Sequence, residues 1–88
     1  MSKRKRIDPR EFGLHHSTIL DQTGDNTFVI VMNRKSRIIM KDGNAILQKI
    51  EKIRKTYPIA RVSVETNAPI CSKTKAFLAD KKITLIEV

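Results

Sequence analysis

Thr27-Phe28-Val29-Ile30-Val31-Met32 is an unbroken run of β-branched and apolar residues, and the rest of the chain is best understood around it. It lacks the alternation of a half-exposed strand, so it predicts a strand buried on both faces, central to its sheet. Upstream, Ser17-Thr18-Ile19-Leu20-Asp21 is short and β-rich, and Thr23-Gly24-Asp25-Asn26 supplies turn chemistry between the two. Two such runs joined by a Gly/Asp/Asn turn predict an antiparallel hairpin. Downstream, Arg34-Lys35-Ser36-Arg37 ends the apolar run with three cations, and Ile38-Ile39-Met40 is expected to resume it as a third short strand.

A helix is predicted from Asp42 to the stop at Pro58. Ile46, Ile50, Ile53 and Tyr57 recur at spacings of four, three and four, with Leu47 beside them, which makes one apolar face. Lys49, Lys52, Arg54 and Lys55 lie largely elsewhere, so the polar face is cationic, and the last two complement the helix dipole. Asp42 can cap the start. Arg61-Val62-Ser63-Val64-Glu65 alternates as a strand. Ser72 can cap a second helix through about Lys81, with Ala76, Phe77 and Ala79 inward and Lys73, Lys75 and Lys81 mostly outward. Ile83-Thr84-Leu85-Ile86-Glu87-Val88 closes the order as a strand. The expected fold is α+β or α/β: an N-terminal β-hairpin leading into a βαβαβ-like half, one mixed sheet with two helices.

The length of 88 residues allows a single small domain. Residues 1–11 are expected to be a basic disordered arm, rich in charge with Pro9 as a breaker, and residues 12–88 the α/β domain. No apolar run approaches the roughly 20 residues of a membrane span. The basic start has no apolar segment behind it, so no secretory signal is expected. Cys71 is the single cysteine, which excludes an internal disulfide and fits a reducing, cytoplasmic setting. Eighteen Lys/Arg against nine Asp/Glu give a net charge of +9. The first ten residues contribute +4 of this, so +5 remains on the folded part. Such a field attracts polyanions, with nucleic acid the commonest partner.

Residues able to carry chemistry are few. Cys71 stands before a helix start, where N–H groups and Lys73 can lower a thiol pKa, but its expected role is packing. His15 and His16 lack companions at a metal-ligand spacing, and one ring is expected to be exposed and the other packed at the hairpin edge. Gly13, Gly24 and Gly43 are isolated, so no phosphate-cradling loop is expected. Phe28 and Phe77 are expected in the core, leaving Phe12 and Tyr57, too few for a single-strand stacking platform.

The succession strand, turn, strand ending in Asn33-Arg34-Lys35, helix bearing Gln48, strand, helix, strand resembles the later part of the PD-(D/E)XK nuclease core, particularly its RecB-like branch. The resemblance covers roughly residues 17–88 and extends to the closing helix and strand from Lys73 to Val88. It implies a site in which an acidic residue on one strand and an acidic-x-Lys motif on the next hold Mg²⁺, with a Gln on the following helix. Asp21, Asn33, Lys35 and Gln48 fall at those positions. Asn33 departs from the pattern, because a neutral amide binds a divalent ion more weakly than a carboxylate. The family's first helix has no room before Ser17.

The expected function is therefore non-catalytic binding of nucleic acid, DNA or RNA, through its phosphate backbone. Arg34, Lys35, Arg37 and Lys41 are the leading contacts, and Lys3, Arg4, Lys5 and Arg6 add unspecific affinity. No cofactor is expected. Two alternatives stand beside this: a Mg²⁺-dependent nuclease or nuclease subunit using Asp21, Asn33, Lys35 and Gln48, and a regulator docking on an acidic protein. A small core and open sheet edges also make a homodimer an expected assembly.

Overall fold

A computed structural model describes residues 4–88. One mixed sheet carries five strands in sequential order: β1 (Lys5–Ile7), β2 (Ile19–Gly24), β3 (Thr27–Met32), β4 (Arg61–Thr66) and β5 (Thr84–Glu87). The first three strands are antiparallel neighbours, while β3–β4 and β4–β5 are parallel. The parallel pairs are joined by α1 (Met40–Thr56) and α2 (Ser72–Asp80). This is the expected hairpin leading into a βαβαβ half.

The run around Phe28 is central, as its composition requires. Phe28, Ile30 and Val64 from the sheet merge with Ile46, Ile50 and Ile53 of α1 and Leu78 of α2 in one buried cluster. Val29 is also buried yet lies outside that cluster, because alternation turns it to the opposite face of the sheet. Phe12 is buried as well, with ring centroids 5.7 Å from Phe28 and 5.9 Å from Tyr57, so it belongs to an internal aromatic cluster rather than a stacking surface. No helix among the described residues is long and apolar enough to cross a membrane.

The structure corrects several expectations. The N-terminal arm is ordered from Lys5: Arg6 pairs with Asp21 and Ile7 with Leu20 along β2, so a charged sequence gains a strand by pairing its charge and half-burying Ile7. Pro9 starts a 3-10 turn (Pro9–Phe12) capped by Asp8, because its fixed φ suits a first helical position. Met1, Ser2 and Lys3 lie outside the described residues.

The strand expected at Ile38–Met40 shrinks to a single bridge between Ile38 and Ile70, and α1 already begins at Met40. Asp42 reaches back from the third helical position to accept the Ile39 N–H at 3.0 Å, which makes Ile39 the cap. At the start of α2 the cap is Cys71 rather than Ser72. Thr74 and Leu78 face inward while Ala76 and Ala79 are exposed, because Thr74 packs against Gly43 of α1.

Candidate nucleic-acid interface

Two loops leave the same end of the sheet. Residues 33–39 follow β3 and lead into α1, and residues 67–71 follow β4 and lead into α2. Ligands of sheets with parallel strands collect at this carboxyl end, where side chains on the loops converge. The loops are stitched together by backbone: Ile38 N–H donates to Pro69 O (2.8 Å) and Cys71 N–H to Ile38 O (2.9 Å). Arg34 N–H donates to Asn67 Oδ1 at 3.1 Å. A cationic loop is thereby held by hydrogen bonds that its own sequence does not provide.

The four loop cations divide by their partners. Arg34 is tied to Asp42, Nη1 to Oδ1 at 2.5 Å, and so fastens the loop to the first turn of α1. The Asp42 carboxyl is held below its usual pKa, first by the Ile39 N–H and then by Arg34. Lys35, Arg37 and Lys41 are exposed and form no ion pair among the described residues. Lys73 on the first turn of α2 is exposed at the same end, because both helices start there.

The arm arginines are used differently. Arg4 bridges Asp21 (2.9 Å) and Glu65 (3.0 Å) across the sheet face away from the helices, and Arg6 meets Asp21 at 2.5 Å. Lys5 is exposed on β1. Arg4 and Arg6 therefore hold β1 against the sheet through these ion pairs, while both side chains stay exposed.

The residues that the nuclease resemblance implies do not converge. Asp21 lies opposite Val29 in the β2–β3 register, four residues before Asn33. At about 3.3 Å per strand residue that is roughly 13 Å, far beyond the reach of one metal ion. The Asp21 side chain is 9% exposed, with Arg4 and Arg6 on its two oxygens. Gln48 is exposed on α1, and Lys35 lies in the loop beyond the strand end. Among the described residues no three His, Cys, Asp or Glu side chains gather to hold a metal. This donor set does not fit Mg²⁺.

His15 and His16 are both exposed, their rings 4.2 Å apart, which corrects the expectation that one is packed. Cys71 is half-buried, and its thiol is pushed below its usual pKa by the backbone N–H groups of Lys73 and Thr74, with help from Arg37.

A cleft of about 210 Å³ opens beside this platform, between the start of β2, the end of β3 and α1. Its polar lining is Ser17, Thr18, Asn33, Arg34 and Lys49, with no carboxylate. Lys49 and Lys73 were legible only as outward helix cations, and their convergence with the loop depends on topology. For Lys73 the signal is the β-α-β-α-β order itself, which sends both helix starts to one end.

Two solved structures share this fold over 97% of the chain. The structure of the EndoMS-dsDNA2 complex matches with a TM-score of 0.74 at 15% identity, and the chain spans 36% of that protein chain. A repair endonuclease from Pyrococcus abyssi matches with a TM-score of 0.73 at 10% identity, over 38% of its length. The chain thus spans little more than a third of the proteins it resembles, and the likeness is one of fold. It agrees with the resemblance to the later part of the PD-(D/E)XK core. No protein-family model matches the chain, and no curated protein matches it.

Proposed function

We propose that this chain is a nucleic-acid-binding domain that contacts the phosphate backbone and does not cleave it. The observation that carries this reading is the set of exposed cations with no ion-pair partner among the described residues, Lys35, Arg37, Lys41 and Lys73, gathered at the loop end of the sheet. Cations held on stitched loops approach phosphates with little ordering cost, and phosphate contacts position a strand without reading its sequence. A fold shared with a protein captured on double-stranded DNA supports the partner class. The separation of Asp21 from Asn33 supports the absence of cleavage and of any need for a metal.

The paired reversal of Lys35 and Arg37 to Glu tests the reading. Each phosphate contact removed lowers the salt dependence of binding by about one ion's worth, and reversal adds repulsion. Affinity for duplex DNA or RNA falls at least tenfold while the folded spectrum is unchanged. Equal affinity in the reversed variant removes the loop from the interface.

A further inference from the structure

The cleft between Ser17, Asn33 and Lys49 has a composition that points to a definite ligand class. Its volume of about 210 Å³ is below the roughly 300 Å³ at which organic-ligand pockets begin, yet it exceeds several times the roughly 30 Å³ of one liquid water. A small solvated group fits it. The polar lining offers donors: the Lys49 ammonium, the Arg34 guanidinium, the Asn33 amide, and the hydroxyls of Ser17 and Thr18.

Charge decides the sign of that group. Lys49 is half-buried and has no ion-pair partner among the described residues. Arg34 spends Nη1 on Asp42 and keeps further N–H groups. A half-buried ammonium in a cleft without a carboxylate is a seat for an anion. The second cleft on the molecule shows the contrast. It is larger, about 280 Å³, but Asp8 and Glu11 line it together with Lys5 and Arg6, so its lining mixes both signs of charge.

The cleft also lies where a backbone would pass. Asn33 and Arg34 begin the same loop that presents Lys35 and Arg37, and Lys49 sits about two turns into α1 from Lys41. We infer that this cleft seats one phosphate group of a bound nucleic acid directly, with Lys49 as its principal cation and no metal between. The inference rests on the nucleic-acid reading above and adds a site to it. Four donor types from three parts of the chain would fix the register of the strand, while the exposed cations supply unspecific attraction.

Two titrations test it on the full chain. In the first, inorganic phosphate is followed through backbone amide shifts of wild type, Lys49→Met and Lys55→Met. Saturating shifts at Thr18, Asn33 and Lys49, at least fivefold weaker in Lys49→Met and unchanged in Lys55→Met, bear the inference out. Absence of those shifts, or equal titration in Lys49→Met, overturns it. Lys49→Gln guards against a packing defect and gives the same result as Lys49→Met.

In the second, labelled duplex DNA is titrated with EDTA present. Lys49→Met lowers affinity about fivefold and reduces the salt slope by about one. If wild type binds duplex and Lys49→Met matches it in affinity and slope, the cleft is overturned while the nucleic-acid reading stands. If phosphate saturates the cleft but wild type binds no duplex or RNA, the nucleic-acid reading fails and the cleft is a small-anion site instead.

Discussion

Arg6 donates from Nε to Oδ1 of Asp21 across the β1–β2 pair, and Asp21 is the one buried carboxylate among the described residues. Arg4 reaches the other oxygen. A carboxylate so engaged acts as an anchor for β1. Substitution Asp21→Ala leaves two cations facing each other over the sheet, so it costs about 1–2 kcal/mol, between the worth of exposed and of buried pairs. Urea unfolding measures this. Unaltered stability would deny that the pairing holds the strand.

Asp42 ties the helix start to the cationic loop through the Ile39 N–H and Arg34. Its folded pKa is depressed, so its stabilisation is fully present above the unfolded carboxyl value of about 3.9 and is lost as pH falls through the lower folded value. Asp42→Ala removes about 1 kcal/mol at neutral pH, the typical worth of such a cap. The difference between wild type and variant begins to shrink below about pH 4 and vanishes only as pH falls through the lower folded value. A difference that persists at low pH would place the effect elsewhere.

Gly43 allows α1 and α2 to approach. A Cβ built there meets Thr74 Cγ2 at 3.0 Å and Phe77 Cδ2 at 3.5 Å. A branched side chain cannot fit without moving α2, so Gly43→Val destabilises by about 1–3 kcal/mol, the usual cost of overpacking. Thermal melts check it. A neutral outcome would mean that the helix pair separates freely.

Cys71 stands at the N-terminal cap of α2, where the backbone N–H groups of Lys73 and Thr74, and further off Arg37, favour the thiolate and lower the pKa of its thiol. Alkylation by iodoacetamide followed against pH shows a midpoint below the ordinary thiol value, and Arg37→Ala moves it only slightly upward because the backbone donors dominate. A midpoint at or above about 8.5 would contradict this geometry.

Much of the fold was written locally. The apolar run around Ile30 and the four-three-four spacing from Ile46 to Tyr57 each carry a period that solvent and packing enforce over many residues. What was hidden depended on distant partners. β1 reads as a charged tail because its stabilising partners, Asp21 and Glu65, lie far along the chain. Ile38–Met40 is too short to distinguish strand from helix, and the Asp42 carboxylate settles it. At the site, the cationic loop was legible as composition, whereas the misplacement of Asp21 is a matter of register, which shows only once Val29 is known to face it. Lys49 gains meaning only from the cleft it shares with Asn33.

The most direct test of the central claim is fluorescence anisotropy of labelled duplex DNA, single-stranded DNA and RNA across a salt series, with Mg²⁺ or EDTA. The account predicts binding of at least one of these that persists near about 150 mM salt, with log affinity falling linearly in log salt, equal in both additives and with the strands left intact. Absence of binding even at low salt, or Mg²⁺-dependent cleavage abolished by Lys35→Ala, would contradict it.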